Sequence, residues 1–288
     1  MNYYKNFDFN KAESLIRLAI KEDQGKGDAT SKMLIPSNLK STAELLVKES
    51  GISAGLKIFQ RVFRIIDKRI KVRFTKKDGE KVSAGERIGT ITGNTRNLLL
   101  GERTGLNILQ KMSGIATFTN CLKKKLNNNS IKIIDTRKTT PNFRLFEKLA
   151  VKIGGGDNHR FGLYDMILIK DNHIEANGGI SNTIDKLIAK KKKLNPKVEI
   201  EVKDLEEFEE VISKGGGVID RVMLDNFPVA HVKDAIKMNT GLFELELSGG
   251  IDQNNINNYS KLKGIDFISI GSITHSAASL DISLNFIT

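Results

Sequence analysis

Charged and glycine-bearing residues follow a series of short apolar runs after residue 130 of this 288-residue chain. Arginine and lysine at such positions suit anionic groups, because a guanidinium donates two parallel hydrogen bonds to one carboxylate or phosphate. The series therefore predicts a pocket for more than one anionic group. In chain order its members are Thr136-Arg137-Lys138, Lys170, Glu201, Asp225, Ser248-Gly249-Gly250 and Ser269-Ile270-Gly271.

Two carboxylates in this series, Glu201 and Asp225, end consecutive apolar runs. Carboxylate oxygens beside substrate phosphates are typical ligands of magnesium, so the pair predicts a Mg²⁺ ion held directly, through water or through substrate. The glycine-bearing ends at 248–250 and 269–271 expose backbone amides that can hold a phosphate. Together the cations, carboxylates and amides predict a transfer reaction that involves a phosphorylated, metal-bound sugar.

A glycine-rich segment, Gly154-Gly155-Gly156-Asp157-Asn158-His159-Arg160, carries an imidazole and a guanidinium at its end. A glycine-rich loop that delivers these two groups suits an anion site, because its backbone amides add further hydrogen-bond donors. We therefore expect His159 and Arg160 to join the anionic pocket, rather than to lie in a connection that only bears a surface arginine.

The other histidines are less specific. His231 falls in a helical pattern and is expected on an exposed face, whereas two roles stay open for His173 and for His275. His173 follows Lys170 closely and either holds it in place or is structural. His275 follows the last glycine-bearing run, where it either contacts a phosphate or makes no contact with substrate.

The elements that position these residues alternate between short β-branched runs and helical patterns, which is typical of βα repeats. A parallel barrel carries its active site at the carboxyl ends of its strands. A barrel is favoured over an open doubly wound sheet, because no glycine-rich dinucleotide fingerprint follows the first run. The predicted strands are Ile131 to Asp135, Met166 to Lys170, Val198 to Val202, Arg221 to Asp225, Phe243 to Ser248 and Ile265 to Ile270.

The amino-terminal part has a different pattern. A capping box of Asn10 and Glu13 predicts a helix that ends near Gly25. The mixed elements that follow predict a small α/β sandwich over residues 1–113, joined by 276–288, beside a barrel domain at 114–275. These elements are strands at Ser41 to Lys48 and Lys71 to Thr75, a helix at Leu56 to Asp67 and a helix at Asn97 to Ser113.

Composition narrows the choice of partners and compartment. The net charge of +12 is concentrated in runs such as Lys190 to Lys193 and Lys123 to Lys125, which predict solvated helix faces. With no tryptophan and no zinc-finger or helix-turn-helix pattern, nucleic acid is not an expected partner.

No apolar run is long enough for a bilayer and no secretory signal is visible, so we expect no membrane association and a cytoplasmic location. The single cysteine, Cys121, excludes an intrachain disulfide and fits a reducing compartment.

Several motifs resemble the quinolinate phosphoribosyltransferase family, and the resemblance covers nearly the whole chain in one order. Asn142 departs from it where a glycine is expected, but asparagine tolerates a positive φ, so only the local turn is affected. The matching segments are Asp135 to Pro141, Asn158 to Ile174 and Leu224 to Pro228, together with Glu22-Asp23, Gly27 to Ser31, Glu102-Arg103-Thr104, Ser113 to Thr117 and Gly271 to Ser276.

The resemblance implies an α/β sandwich beside an incomplete parallel α/β barrel, in a homodimer or larger assembly whose active sites receive Arg103 from the neighbouring subunit. It implies Lys138, Glu201 and Asp225 as catalytic residues. By the same resemblance, Arg137, His159, Arg160 and Lys170 surround the two quinolinate carboxylates, Lys138 faces phosphoribosyl pyrophosphate, Glu201 and Asp225 hold the ribose and its magnesium, and Ser248-Gly249-Gly250 and Ser269-Ile270-Gly271 lie at the ribose phosphate. Thr136 and His275 are expected among the substrate-binding residues from their places beside these groups.

The implied reaction is attack by the pyridine nitrogen on the ribose anomeric carbon, with loss of pyrophosphate and then of carbon dioxide. Two alternatives remain. One is a homologous phosphoribosyltransferase-like protein associated with molybdenum transport, which Glu102-Arg103 and His159-Arg160 argue against. The other is a non-catalytic basic barrel that binds polyanions or nucleic acid.

Overall fold

The structure, a computed structural model, describes residues 2–190 and 196–287. The chain divides into two compact units. We call Met1–Asn120, Lys138–Gly155 and Ile273–Thr288 the sandwich unit, and Cys121–Arg137 with Gly156–Ser272 the barrel unit. Of the two lysine runs, Lys123 to Lys125 are exposed in the last turn of a helix, whereas residues 191–193 of the other run lie outside the described residues.

The helices and strands follow in chain order. The helices are α1 (Phe9–Gln24), α2 (Ala29–Leu34), α3 (Leu56–Ile66), α4 (Thr95–Leu126), α5 (Arg144–Ile153), α6 (Asp171–Asn177), α7 (Ile180–Lys190), α8 (Leu205–Lys214), α9 (Val229–Asn239) and α10 (Ser272–His275). The strands are β1 (Lys40–Val47), β2 (Gly51–Ile52), β3 (Lys71–Phe74), β4 (Lys81–Val82), β5 (Arg87–Asn94), β6 (Lys132–Ile134), β7 (Ile167–Ile169), β8 (Val198–Val202), β9 (Arg221–Asp225), β10 (Glu244–Ser248), β11 (Phe267–Ser269) and β12 (Ile282–Ile287).

The sandwich unit contains a four-stranded sheet in the order β12-β1-β5-β3. In β1 every second residue is buried, at Ala43, Leu45 and Val47, because successive side chains of a strand point to opposite faces. The last strand returns to this sheet, where Leu284 pairs antiparallel with Leu45. The mixed α/β sandwich expected at the amino terminus is confirmed.

Helix α1 begins earlier than predicted. Its N-cap is Asp8, whose carboxylate accepts the Lys11 amide hydrogen at 2.9 Å, so the predicted capping box of Asn10 and Glu13 is wrong. Asn10 lies inside the helix, and Glu13 instead forms an ion pair with Arg61 at 3.2 Å. Any of the short polar residues can serve as an N-cap, and position decides which one does.

Helix α4 is longer than the predicted segment, which ends at Ser113. The helix continues through Gly114 to Leu126. Gly114 does not end the helix but allows another part of the chain to pack closely against it. A Cβ atom at Gly114 would lie 1.9 Å from the carbonyl oxygen of Ala278. The same stretch of α4 is hydrogen-bonded to the segment that follows β2, since the Ser113 hydroxyl accepts the Ala54 amide hydrogen at 3.0 Å. The motif at 113–117 is therefore a structural feature of the sandwich unit.

We expect Gly114→Ala to lower the free energy of unfolding by about 1–3 kcal/mol, since the added methyl group forces backbone to move. Urea unfolding of purified protein measures the change. Gly216→Ala is the matched control, because no atom lies within 4 Å of a Cβ built there. An unchanged unfolding midpoint in Gly114→Ala would show that the segment at Ala278 adjusts freely.

The barrel unit contains a six-stranded parallel sheet in the order β6-β11-β10-β9-β8-β7. From β7 to β11 each strand lies beside the next one in sequence, and β6 joins the far edge. In the described part of the chain β6 and β7 do not pair, so the sheet is a barrel that is open between its first two strands. This order confirms the incomplete barrel and excludes the doubly wound alternative, which requires a switch point.

No helix within residues 2–190 or 196–287 has the length and apolar character that a membrane crossing requires.

Candidate active site

The carboxyl ends of the barrel strands bring most of the predicted site residues to one rim of the sheet. The parallel register places Ser248 opposite Asp225 and Ser269 opposite Ile134. Lys170 directly follows β7, and Glu201 is the penultimate residue of β8. Residues from all six strand ends therefore surround a single region, as a barrel active site requires.

Asp135, at the end of β6, is a buried anchor for the glycine-rich loop. Its carboxylate accepts hydrogen bonds from the Asn158 side-chain amide at 2.6 Å and from the His159 backbone amide at 2.9 Å. These bonds fix the loop immediately before Arg160. The sequence motif that contains Asp135 gave no role for this residue. Its place at a strand end, beside charged residues, is the feature from which such a role could have been predicted.

Arg137 and Arg160 form a cationic pair in this unit. Burial, and then the nearby positive charge of Arg137, hold the pKa of the Arg160 guanidinium below its ordinary value. Asp165 and Glu199 act in the opposite direction. This concentration of positive charge favours an anion, whose binding would relieve the repulsion.

His159 is buried beneath this pair, and both ring nitrogens face protein groups. Nδ1 accepts the backbone amide hydrogen of Arg160 at 2.7 Å. Nε2 lies 2.9 Å from a carboxylate oxygen of Glu199 and 3.5 Å from one of Glu246. The contact between His159 and quinolinate remains a prediction.

Glu199, Glu246 and Arg221 extend this buried group into the barrel. Arg221 donates from Nη1 to Glu246 at 2.9 Å, and both glutamates are fully buried. Burial raises the pKa of each glutamate to about 7, and in Glu246 the charge of Glu199 adds to the effect of burial. Sequence reasoning missed the group, although Glu199 and Glu201 alternate on β8 and therefore share its inner face.

Lys170 and Glu201 form an ion pair at the rim, with Nζ 2.7 Å from a carboxylate oxygen. Of the two roles left open for His173, the hydrogen bonds favour the one in which it holds Lys170 in place. Its Nδ1 accepts the Lys170 amide hydrogen at 3.0 Å, and its own amide donates to the Lys170 carbonyl at 2.8 Å. His173 therefore holds the backbone of Lys170 at the start of α6.

The next two strand ends are joined by Asn226, a residue to which sequence reasoning assigned no role. Its side-chain amide donates to Asp225 at 2.8 Å, and its backbone amide donates to the Ser248 carbonyl at 2.8 Å. Gly249 has a φ of 92°, and a Cβ there would lie 2.2 Å from the Asn226 side chain. The predicted phosphate-binding segment 248–250 thus requires glycine at 249, and at Gly250 space is open but the φ of 60° also favours glycine.

The second predicted phosphate-binding segment, residues 269–271, is partly bonded within the sheet. The Ile270 amide donates to the Ile134 carbonyl at 3.0 Å and therefore belongs to the sheet, and its predicted contact with a phosphate stays a prediction. Ser269 is buried, and its hydroxyl lies 3.4 Å from the Leu247 carbonyl. Of the predicted 269–271 segment, Gly271 is the member whose backbone stands at the rim.

The remaining predicted residues belong to the sandwich unit. Arg103 is exposed on α4 and lines a cavity of about 550 Å³ with Glu22-Asp23, Lys111 and Thr140. Motifs far apart in the sequence thus converge within one unit. Asn142 has a φ of 61°, so asparagine does adopt the backbone conformation for which glycine was expected.

Lys138 and His275 are exposed residues of the sandwich unit. The Lys138 carbonyl accepts a hydrogen bond from the Thr274 hydroxyl at 2.7 Å, which joins the two neighbouring segments. His275 Nδ1 lies 2.6 Å from the Ser276 hydroxyl. Their predicted contacts with phosphoribosyl pyrophosphate stay predictions.

The carboxylates at the rim fit a magnesium ion that is carried largely by substrate. Glu201 and Asp225 end neighbouring strands and offer the oxygen ligands that Mg²⁺ prefers. Each already has a hydrogen-bond partner, Lys170 or Asn226, so the donor set suits shared or water-mediated contacts better than a protein cage. Elsewhere in the described residues, His159, Glu199 and Glu246 bring ligand atoms within 4.8 Å of one another, but the Arg221 guanidinium already supplies positive charge there.

The fold and the rim define an α/β-barrel protein whose cationic and acidic side chains gather at the carboxyl ends of its strands. Comparison with known proteins identifies the family. The N-terminal domain of quinolinate phosphoribosyl transferase matches residues 28–113, and the C-terminal domain of the same family matches residues 115–285. The chain belongs to the quinolinate phosphoribosyltransferase family.

Individual relatives agree along nearly the whole chain. The chloroplastic nicotinate-nucleotide pyrophosphorylase (carboxylating) of Arabidopsis thaliana is 40% identical over 96% of this chain and 83% of its own. The probable enzyme of the same name in Bacillus subtilis is 43% identical over 92% and 89%. Among solved structures, NadC from Streptococcus pyogenes is 38% identical with a TM-score of 0.91, and covers 99% of this chain and 100% of its own.

Proposed function

We propose that this protein is a decarboxylating quinolinate phosphoribosyltransferase. It joins quinolinate to phosphoribosyl pyrophosphate and releases nicotinate mononucleotide, pyrophosphate and carbon dioxide, a step toward NAD. The observation that carries the proposal is the rim of the barrel unit, where Arg137, Arg160 and Lys170 accompany Glu201 and Asp225. The names of the relatives support the same reaction.

The proposed work of the cations is to hold and orient quinolinate. Arg137, Arg160 and Lys170 bind its two carboxylates, so that the ring nitrogen faces the anomeric carbon of the ribose. Lys138, with Thr136 and the backbone at 248–250 and at Gly271, holds the phosphorylated sugar, and His275 is part of this proposed contact. Positioning of two reactants in this way removes much of the entropic barrier to their reaction.

Glu201 and Asp225 act on the sugar in this proposal. As the bond to pyrophosphate breaks, positive charge develops on the ribose, and fixed carboxylates stabilise it. Glu201 and Asp225 would hold a magnesium ion, directly or through water or substrate, and the ion would supply neutralising charge to the departing pyrophosphate. The side chains here act by position and charge, and the mechanism requires no covalent intermediate with the protein.

Loss of carbon dioxide follows bond formation. Once the ring nitrogen is cationic, the carbon–carbon bond to the adjacent carboxylate breaks and its electron pair stays on the ring carbon, which then takes up a proton. The positive ring nitrogen stabilises that electron pair. Arg160 and its neighbours, which bind the carboxylates, keep the ring in place during this step.

The proposal includes a homodimer, or a larger assembly of such dimers, in the cytoplasm. Arg103 lies in the sandwich unit and would enter the partner's site. Large apolar side chains exposed in that unit, Met33 at 84% and Leu34 at 71%, are suited to an interface. The lone cysteine, Cys121, fits a reducing compartment.

Turnover by the purified protein tests the function directly. With quinolinate, phosphoribosyl pyrophosphate and Mg²⁺, we expect mononucleotide, pyrophosphate and carbon dioxide in equal amounts. A protein of the molybdenum-associated type, or a basic barrel that binds polyanions, would form none of the three.

Mixed dimers test the sharing of active sites. Arg103→Ala and Lys138→Ala proteins, each inactive alone, should regain activity when refolded together. If half of the dimers are mixed and each has one intact site, the mixture should recover about one quarter of the wild-type rate. Mixed dimers confirmed by mass but still inactive would show that both residues serve the same subunit's site.

A further inference from the structure

Four ionisable side chains lie inside the barrel unit, below the rim. Glu199 and Glu246 precede Glu201 and Ser248 by two residues, and so share the inner face of β8 and β10 with them. Arg221 extends from the intervening strand β9, and His159 enters from the loop that follows α5. We call His159, Glu199, Arg221 and Glu246 the buried ionic cluster. Each of its members is at most 9% exposed.

The cluster connects two strands of the barrel with the backbone of Arg160. Nε2 of His159 lies 2.9 Å from Glu199 and 3.5 Å from Glu246, while Nδ1 accepts the Arg160 amide hydrogen at 2.7 Å. Because Nδ1 is an acceptor, the ring hydrogen lies on Nε2, on the side of the two carboxylates. The Arg160 amide therefore fixes the tautomer, and the charges of the two glutamates favour the ring orientation that turns Nε2 toward them.

The other side of the cluster is also constrained. Arg221 donates to Glu246 at 2.9 Å, and its guanidinium carbon lies 3.7 Å from the centre of the Phe267 ring. Glu246 is thus held from below while it faces His159. Barrel interiors are usually filled with branched apolar side chains, and buried charges are often replaceable by apolar groups without loss of stability. Buried ions at this depth are therefore weak evidence for a stabilising role, and their contacts with His159 suggest a role in positioning.

We propose that Glu199 and Glu246 are positioning residues for quinolinate, which act through His159 on Arg160. They orient the imidazole, the imidazole holds the Arg160 amide, and the Arg160 guanidinium is thereby presented to a substrate carboxylate. Glu199 also places negative charge behind Arg160, which opposes its repulsion by Arg137. This inference rests on the proposed function.

Changes in the buried ionic cluster should affect the binding of the two substrates differently. Loosening the cluster should weaken the binding of quinolinate, because Arg160 contacts that substrate alone. The phosphoribosyl pyrophosphate groups are held by other residues, namely Lys138, the 248–250 backbone and Asp225. A cluster that served only to keep the barrel folded would affect both substrates alike, or would change only the thermal stability.

Glu246→Gln tests the proposal, because it keeps the shape of the side chain and removes its charge. We expect the KM for quinolinate to rise at least about tenfold, because the negative charge that lies 3.5 Å from His159 is lost, and the KM for phosphoribosyl pyrophosphate to stay within about twofold. Glu244→Gln is the matched control. Glu244 is the first residue of the same strand, at the end opposite the rim, and it contacts the same Arg221 at 3.2 Å. It should leave both KM values unchanged.

A double-mutant cycle shows whether Glu246 acts through Arg160. In an Arg160→Gln background, Glu246→Gln should cause no further rise in the quinolinate KM, because the group that it positions is absent. Independent, multiplying effects would overturn the proposal. Glu199→Gln, which keeps the Glu246–Arg221 ion pair, gives the same test if Glu246→Gln does not fold.

The remaining outcomes are also decisive. Equal rises in both KM values, or a lower thermal midpoint with unchanged kinetics, would assign the cluster a purely structural role. A wild-type protein that does not consume quinolinate would remove the proposed function and this inference with it. Active wild-type protein with an unaffected Glu246→Gln variant would remove the inference alone.

Discussion

Nicotinate should react with phosphoribosyl pyrophosphate roughly 10³-fold less efficiently than quinolinate, measured as kcat/KM. Arg137, Arg160 and Lys170 stand at one rim, and Arg137 is close enough to Arg160 to lower its pKa. Quinolinate brings two carboxylates to these cations, whereas nicotinate brings one. A cation left unpaired in a closed pocket costs on the order of a few kcal/mol, which accounts for the expected ratio.

The measurement supplies each acid with phosphoribosyl pyrophosphate and Mg²⁺ and follows carbon dioxide, pyrophosphate and mononucleotide together. Arg160→Gln should narrow the ratio between the two acids, since quinolinate then loses its extra partner. Arg69→Gln is the control, because that arginine is exposed on the sandwich unit and pairs only locally with Asp67 at 2.9 Å. Equal rates for the two acids, or mononucleotide formed from quinolinate without carbon dioxide, would contradict this description of the pocket.

The parallel strands of the barrel and the residues that end them are the part of the molecule that sequence predicts best. The runs Val198 to Val202 and Arg221 to Asp225 coincide with β8 and β9. Strands covered on both faces are rich in branched apolar residues, and polar residues mark most of their ends, although β8 (VEIEV) and β10 (ELELS) also carry glutamates before the end. Because those same polar residues form the rim, the fold and the candidate site were predictable together.

The buried ionic cluster was not predictable in the same way. Charged side chains are rarely buried unless they are paired, and the partners of Glu246 lie on β9 and in a distant loop. Only the strand order brings them together. Gly114 gives a second example, because a glycine inside an apolar helical pattern indicates a helix end until the packing of Ala278 against it is known.

Asp225→Asn should lower kcat by about 10²-fold or more and raise the KM for phosphoribosyl pyrophosphate, while the affinity of the free enzyme for quinolinate stays nearly unchanged. The carboxylate ends β9 opposite Ser248, on the side of the rim that we assign to the sugar phosphate. The substitution removes the negative charge that would stabilise positive charge on the ribose. Asn226 keeps a carbonyl oxygen as its partner, so the local structure has little reason to change.

Glu201→Gln gives a sharper version of the same test, because Glu201 is paired with Lys170 at 2.7 Å. If Glu201 serves the sugar, the variant should lose kcat as Asp225→Asn does, but Lys170 is then released from its carboxylate and quinolinate affinity should hold or increase. Calorimetry with quinolinate alone measures that affinity, and Asp234→Asn, an exposed change on α9, is the matched control. A collapse of quinolinate affinity in either rim variant would mean that these carboxylates organise the pyridine pocket and not the sugar site.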